Sequence, residues 1–194
     1  MSRHIGYLFI APAFIILFFT SIYPVAFSFY FSFFDWNWGN QENFIGLDNY
    51  LFLLTDPEFW TVIYNTFVFA SVSCFLEVTI GIILAIFVDR IVFCSTIIRT
   101  ILILPLMVSG IIVSMISKIM FNNLFGVIPY GLKQIDIRSS FFGSTEAAMP
   151  TLIGVDVWWQ TSFVFIIILA ALQGIPNDTV EAAKIDGASE WDIT

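Results

Sequence analysis

The sequence predicts an all-α protein, a polytopic bundle of membrane-spanning helices. Hydrophobic residues make up 59% of the 194 residues and charged residues only 11%, and mean hydropathy is +0.92. A water-soluble domain of this length needs far more polar side chains to cover its surface. Four apolar runs are each long enough to cross the hydrocarbon core, which takes about 20 helical residues. We therefore expect about four spans.

Composition also disfavours several kinds of chemistry. The net charge of −8 argues against binding to nucleic acid, which requires clustered lysine and arginine. The sequence contains no P-loop motif, and its only histidine is His4. Cys74 and Cys94 lack the spacing of a metal clip or a disulfide framework, so both are expected to be reduced and structural. Neither a metal site nor a cofactor is predicted.

The first apolar run covers residues 5–34 and contains no charged residue. Pro12 and Pro24 are expected to bend this helix or to shorten its regular part. The run is too long for a secretory signal and ends at Trp36 and Trp38, which is typical of an interfacial aromatic belt. We therefore predict that residues 1–34 form the first transmembrane helix.

Residues 35–60 form a polar segment that indicates the orientation of the chain. The segment carries five carboxylates and neither lysine nor arginine, which is typical of a loop outside the cytoplasm. With the N-terminus in the cytoplasm, Arg3, Arg90, Arg99 and Lys184 lie inside, and Lys118, Lys133 and Arg138 lie outside. This count alone is nearly balanced, so the orientation rests on the basic-free loop.

Three further spans are predicted at about 61–88, 96–121 and 150–172. The second is interrupted by Glu77 and closes at Asp89-Arg90, and the third is expected to bend at Pro105 and Gly110. Residues 122–148 between the third and fourth spans contain several glycine, proline and basic residues, which predicts a loop with room for one short interfacial helix.

A mixed-charge segment follows the fourth span from Pro176 onward, and its pattern predicts helix, turn and helix. Asp178 is expected to cap the first helix, with Glu181 as its reciprocal partner in a capping box. Gly187 can take the left-handed conformation that ends a helix, and Ser189 with Asp192 repeats the capping pattern. The residues alone leave open whether this segment docks on a partner or is an ordinary loop.

One motif in this segment resembles a known family. Residues 181–187 read EAAKIDG and continue as Asp186-Gly187-Ala188, which is similar to the EAA-x-x-x-G loop of the inner-membrane permease subunits of binding-protein-dependent ABC importers, in particular the sugar and glycerol-phosphate type. Further matches in order along the chain are Tyr23-Pro24, residues 44–50, residues 56–60, residues 99–105, residues 155–158 and residues 170–176.

The resemblance implies the fold of a type I ABC importer permease located in the cell (inner) membrane. Residues 61–194 would form the core permease domain and end in a cytoplasmic coupling loop at 173–194. The implied partners are a second permease subunit, identical or different, two ATP-binding subunits and an extracytoplasmic substrate-binding protein. ATP hydrolysis would occur in those separate subunits, so this chain is not expected to be an enzyme.

The same resemblance assigns ATPase coupling to a small set of residues. Glu181 would anchor the loop to the ATPase, Ala182 and Ala183 would form its close-packing face, and Asp186 and Gly187 would form the turn. For Glu181, the alternative is a capping role only. The implied cargo is a sugar or a related polyol.

Two departures from the family pattern stand out. Ser162 replaces a usual proline and Trp159 a frequent lysine in the fourth span, which affects its expected bend and polarity. The sequence also stops at Thr194, before the further spans that such permeases carry, so we expect an incomplete, C-terminally truncated permease.

Three polar residues inside the spans are candidates for the substrate pathway. Glu77 is costly in the membrane unless it faces a cavity or a partner, and a structural bond to a neighbouring helix is its alternative. Asp156 and Gln160 share one helix face and can together bind a sugar hydroxyl or a neighbouring helix. Trp158 and Trp159 fit an aromatic belt better than a sugar platform.

A non-ABC membrane protein remains the alternative at this point, either a secondary transporter or a membrane-embedded enzyme. An enzyme would need clustered catalytic polar groups, whereas the polar residues within the spans are few and dispersed. A secondary transporter usually shows an internal repeat with matching broken helices, and the sequence contains no second copy of the proline-interrupted pattern.

Overall fold

The computed structural model describes residues 3–36, 43–91, 95–135 and 141–189. The chain divides into two compact units, Met1–Tyr64 and Asn65–Thr194. Several residues singled out by the sequence lie outside the described ranges, namely Trp38, Glu42, Cys94, Arg138, Asp192 and Thr194.

The first unit begins with one long helical segment, as predicted. Helix α1 (Arg3–Leu17) contains Pro12 and passes through a π turn (Phe18–Ile22) into α2 (Tyr23–Phe31). The wide turn lies directly before Pro24, and the amide of Tyr23 donates to the carbonyl of Phe18. Because Pro24 has no amide hydrogen and its ring crowds the preceding turn, a local π geometry accommodates it without ending the helix.

The polar segment after α2 is more ordered than the sequence predicts. Strands β1 (Phe34–Asp35) and β2 (Asn43–Phe44) pair antiparallel, and α3 (Asp48–Thr55) follows them. The Asn49 side-chain amide donates to the carbonyls of Ser32 at 2.9 Å and Phe34 at 3.1 Å. These bonds tie α3 to the end of α2.

The remaining helices overlap the apolar runs of the sequence, with shifted ends. They are α4 (Pro57–Arg90), α5 (Ser95–Ile103) with a 3₁₀ turn (Leu104–Met107), α6 (Gly110–Met120), α7 (Val127–Lys133), α8 (Thr145–Gln173) and α9 (Asn177–Ile185). Helix α8 begins earlier than predicted because Ser144 acts as its N-cap and accepts a hydrogen bond from the amide of Ala147 at 3.2 Å.

The third run is broken near its middle, as Pro105 and Gly110 predicted. Residues Ser95–Met107 and Gly110–Met120 meet at an angle of 93°. By length and composition, three helical segments of the described residues can cross a membrane, or four if this bent pair is one span. The chain is thus an integral membrane protein with helices of the required length.

Helices α4 and α8 run in the same direction and approach closely. Glu77 meets Asp156 near the middle of the two helices. Four residues further along α4, a Cβ atom on Gly81 would lie 2.6 Å from Cγ1 of Val164. Because two parallel helices start on the same side, the chain between them must return across the membrane. The bent pair α5–α6 lies between them in the chain and is long and apolar enough to make this return if it forms one span.

The buried core of this unit lies toward the end that carries α9. It consists of Ala85 and Val88 from α4 and Phe165 and Leu169 from α8. Side chains of α5 pack against it, namely Ile98, Leu102 and Ile103. The three helices are therefore held together where the chain leaves α8 for α9.

Candidate functional site

Helix α9 contains the EAA segment, and its start differs from the prediction. Pro176 is the N-cap residue, and no side chain caps the helix there. Asp178 lies in the first turn, so the predicted capping box of Asp178 with Glu181 is wrong. Pro176 has φ −62° and ψ 137°, and this fixed φ allows the helix to start at the next residue. Asp178 still interacts favourably with the positive end of the helix dipole.

The end of α9 agrees with the prediction at Gly187. Gly187 has φ +87°, and its amide donates to the carbonyl of Lys184 at 3.2 Å. The amide of Ala188 donates to the carbonyl of Ala183 at 3.0 Å. These two bonds form a Schellman motif, which satisfies the last carbonyls of the helix and requires a residue that tolerates positive φ.

Most of α9 is exposed, and one of its faces carries two carboxylates beside two apolar side chains. Asp178, Glu181, Ala182 and Ile185 follow helical spacing along this face, and all four are exposed, Ile185 to 86%. Ala183, on the other side of the helix, is half-buried. Two carboxylates beside a small and a large apolar side chain form a compact surface suited to a partner with cationic groups and an apolar contact.

Helix α8 passes into α9 through a short, hydrogen-bonded link. The amide of Gly174 donates to the carbonyl of Ala170 at 3.0 Å, and the amide of Thr179 donates to that of Pro176 at 3.0 Å. Gln173, the last residue of α8, lies against Arg99 of α5. This contact could not be predicted from the sequence, because the two residues are far apart along the chain.

The predicted pathway residues meet only in part. The carboxyl groups of Glu77 and Asp156 are in hydrogen-bonding contact between α4 and α8. Oε1 of Glu77 is buried without a hydrogen-bond partner. Gln160 is half-buried on the same face of α8 as Asp156. A carboxyl pair is expensive inside apolar helices and commonly marks a functional site, so its position is informative.

A pocket of about 560 Å³ lies elsewhere, on α6 and α8. Its polar lining includes Ser114, Ser117 and Lys118, whereas Glu77, Asp156 and Gln160 do not line it. The sequence analysis missed this lining, although the three residues share one face of an otherwise apolar helix. That polar stripe is the signal that would have identified it.

Trp159, expected in an aromatic belt, has a structural contact at the broken span. Its indole Nε1 donates to the carbonyl of Val108 at 3.1 Å. A Cβ atom on Gly110 would lie 3.0 Å from Cη2 of Trp159. The indole therefore packs against the break, and Trp158 beside it is 57% exposed.

Within the described ranges, no group of three or more histidine, cysteine, aspartate or glutamate residues is arranged to hold a metal ion.

Comparison with known families places these features in context. Residues 77–194 match the model of a family described as "Binding-protein-dependent transport system inner membrane component". The chain belongs to this family. The matched region begins at Glu77 and includes the bent pair α5–α6, α8 and α9. The EAA segment therefore lies within the region shared with this family.

Relatives of this permease share its sequence over most of its length. It is 36% identical over 185 residues to the probable starch degradation products transport system permease protein AmyD of Thermoanaerobacterium thermosulfurigenes, covering 95% of this chain and 63% of the relative. It is 33% identical over 198 residues to the alpha-glucoside transport system permease protein AglF of Rhizobium meliloti, covering 96% and 56%. The chain thus spans about three fifths of these relatives.

Solved structures agree with the fold. A bacterial ABC transporter involved in the import of the acidic polysaccharide alginate matches with a TM-score of 0.81 and 25% identity, covering 97% of this permease and 64% of that chain. The type I importer fold predicted from the sequence is confirmed. The relatives are named as transport permeases, and the family is described as part of a binding-protein-dependent transport system.

Proposed function

We propose that this chain is a pathway-forming permease subunit of an ATP-driven importer for sugars or related polyols. The family match supports the transport role, and the relatives named for starch degradation products and alpha-glucosides support the cargo class. A second permease subunit completes the pathway, two ATP-binding subunits supply the energy, and an extracytoplasmic binding protein delivers the cargo.

The observation that carries this proposal is the exposed face of α9. Glu181 anchors the helix to an ATPase subunit by pairing with a cationic group in its cleft. Ala182 gives close approach at the contact, and Ala183 packs the helix from the other side. Asp186 and Gly187 form the turn that ends the helix, with Gly187 at φ +87°. Closure of the ATPase pair then displaces α9, and the short link transmits that movement to α8.

The membrane orientation is part of the same proposal. The N-terminus and α9 lie in the cytoplasm, and residues 35–60 lie outside. The parallel course of α4 and α8 supports this arrangement, because it requires one crossing between them. The basic-free composition of residues 35–60 gives the direction. The exposed apolar side chains of α1, α2 and α4 contact lipid or the second permease.

Glu77, Asp156 and Gln160 are proposed to contribute to the substrate pathway. The contact between Glu77 and Asp156 supports the assignment for these two carboxyl groups. A Glu77→Gln variant keeps the size and the hydrogen-bonding capacity of the side chain but removes its acidic proton. We expect lower substrate uptake with unchanged assembly, and unchanged uptake would remove Glu77 from the pathway.

Copurification tests the importer assignment. The permease, expressed with ATP-binding subunits from the same organism, is expected to retain them through detergent extraction and to support ATP hydrolysis stimulated by the loaded binding protein. Glu181→Ala should weaken both properties, whereas Glu146→Ala, at the opposite end of α8, should leave them unchanged. Failure of the unmodified permease to retain any ATP-binding subunit would contradict the proposal.

A further inference from the structure

Arg99 contacts the last residue of α8 through a two-point hydrogen bond. With the Gln173 amide oriented so that Oε1 faces the guanidinium, Oε1 accepts from Nη1 of Arg99 at 3.0 Å and from Nη2 at 2.7 Å. The opposite orientation would set amide hydrogens against guanidinium hydrogens. Hydrogen bonds from a charged donor are stronger than neutral ones, and two of them fix direction as well as distance.

Arg99 is held in a partly buried position on α5, which restricts where its guanidinium can bond. Arg99 is half-buried on α5, and its Nε is buried without a hydrogen-bond partner. Ile98, its neighbour in sequence, packs on the core formed by α4 and α8. The packing of α5 on the core therefore fixes the position of the Arg99 guanidinium, and the Gln173 oxygen is the acceptor within its reach.

Gln173 lies where its position determines that of α9. Three residues separate it from Asn177, the first residue of α9. Backbone bonds hold this link, from Gly174 to Ala170 and Ala171 at 3.0 and 3.2 Å and from Ile175 to Leu172 at 3.3 Å. Because these bonds restrict the backbone of the link, the orientation of the last turn of α8 determines the direction of α9.

We propose that Arg99 is a positioning residue for the coupling helix: by holding Gln173, it fixes the angle at which α9 leaves the membrane bundle. Movement of α9 is then passed to α5 as well as to α8. This inference rests on the proposed role of α9 as the contact with the ATPase. It assigns to α5 a role in coupling in addition to its packing on the core.

A distance measurement and a coupling measurement together test this proposal. Spin labels at Thr96 and Thr179, with Cys74→Ser and Cys94→Ser as background, report the distance between α5 and α9 in the assembled transporter; Thr179 is exposed and lies off the proposed ATPase-contact face. Arg99→Gln and Gln173→Leu should each broaden the distance distribution. Both should also lower the substrate transported per ATP hydrolysed, because the charge-assisted hydrogen bond that orients α9 is lost.

Two variants serve as controls. Thr100→Ala changes an exposed side chain next to Arg99 on α5 and should leave both readouts unchanged. Gln173→Glu keeps an acceptor oxygen at this position and adds a second one for the guanidinium, so it should retain a narrow distribution and normal coupling. A Gln173→Glu variant that behaves like Gln173→Leu would overturn the proposal.

The outcomes also separate this inference from the proposed function. Unchanged distance and coupling in Arg99→Gln, in a transporter whose unmodified form is active, overturn the role of Arg99. An unmodified protein that couples to no ATPase overturns the proposed function instead, while the distance distribution still decides whether Arg99 positions α9.

Discussion

Trp159 holds the broken third span through the carbonyl of Val108, which accepts a hydrogen bond from the indole Nε1 at 3.1 Å. The backbone of Val108 is extended, with φ −90° and ψ 131°, so its carbonyl lies outside the regular helix ladder. Backbone groups released at a break inside a membrane require another partner. Trp159 provides that partner from α8.

Replacing Trp159 with phenylalanine should therefore destabilise the bundle. Phe keeps an aromatic ring at the break but cannot donate to Val108. We expect the free energy of unfolding to fall by roughly 1–2 kcal/mol, measured by denaturant titration in detergent micelles. Trp158→Phe is the matched control, because Trp158 is 57% exposed. Equal losses in the two variants would show that the indole hydrogen bond contributes nothing particular.

Gly81 should be essential to the close approach of α4 and α8. In Gly81→Ala, the new methyl would lie 2.6 Å from Cγ1 of Val164 and 3.3 Å from the amide nitrogen of Phe165, so the helices must separate. We expect a loss of roughly 1–3 kcal/mol in the free energy of unfolding. Gly154→Ala is the control, since nothing lies within 4 Å of its new methyl. If both variants were equally stable, the two helices would not be packed as described.

Gly187→Ala should loosen the end of α9. Gly187 has φ +87°, which an alanine adopts at a cost of roughly 1 kcal/mol. Hydrogen exchange at the amide of Ala188, which bonds to Ala183, should accelerate by about fivefold. Gly174→Ala provides the comparison, because Gly174 has φ −80° and ordinary contacts. Faster exchange in both variants alike would point to a general effect of losing a glycine.

Asn49 should stabilise the segment between α2 and α4. Its amide donates to Ser32 and Phe34, and Asn49→Asp keeps the size of the side chain but removes both donors. We expect Asn49→Asp and Asn49→Ala to increase cleavage of this segment by an added protease to a similar degree. An Asp variant as resistant as the unmodified protein would show that the two donated bonds are dispensable.

The sequence predicted the elements that depend on local chemistry. Apolar runs of sufficient length gave the spans, Pro105 and Gly110 marked the break, and Gly187 marked the end of α9, because each of these depends on neighbouring residues. The start of α9 was placed wrongly, since a side-chain cap at Asp178 was expected where Pro176 already sets the backbone. Helix α3 was missed because its short apolar stretch lies within a polar segment.

The sequence could not predict which residues far apart along the chain come into contact. Trp159 and Val108 are 51 positions apart, and no periodic pattern connects them. Glu77 and Asp156 were both identified as candidates, but their contact depends on the parallel packing of α4 and α8, which only the tertiary structure specifies. Arg99 and Gln173 were part of the quoted resemblance without any indication that they touch.

The central claim is that α9 docks on an ATPase subunit through its exposed face. The most direct test is cross-linking between Ala182→Cys and single cysteines placed in the ATPase cleft. The cross-link is a disulfide or a short bifunctional reagent, and both native cysteines are replaced beforehand. Tyr130 in α7, 68% exposed on another helix, supplies the control position. The account predicts that the cysteine at 182 cross-links efficiently, in a manner altered by ATP, and that the one at 130 does not. Absence of cross-linking from 182 in an assembled, actively transporting complex would contradict it.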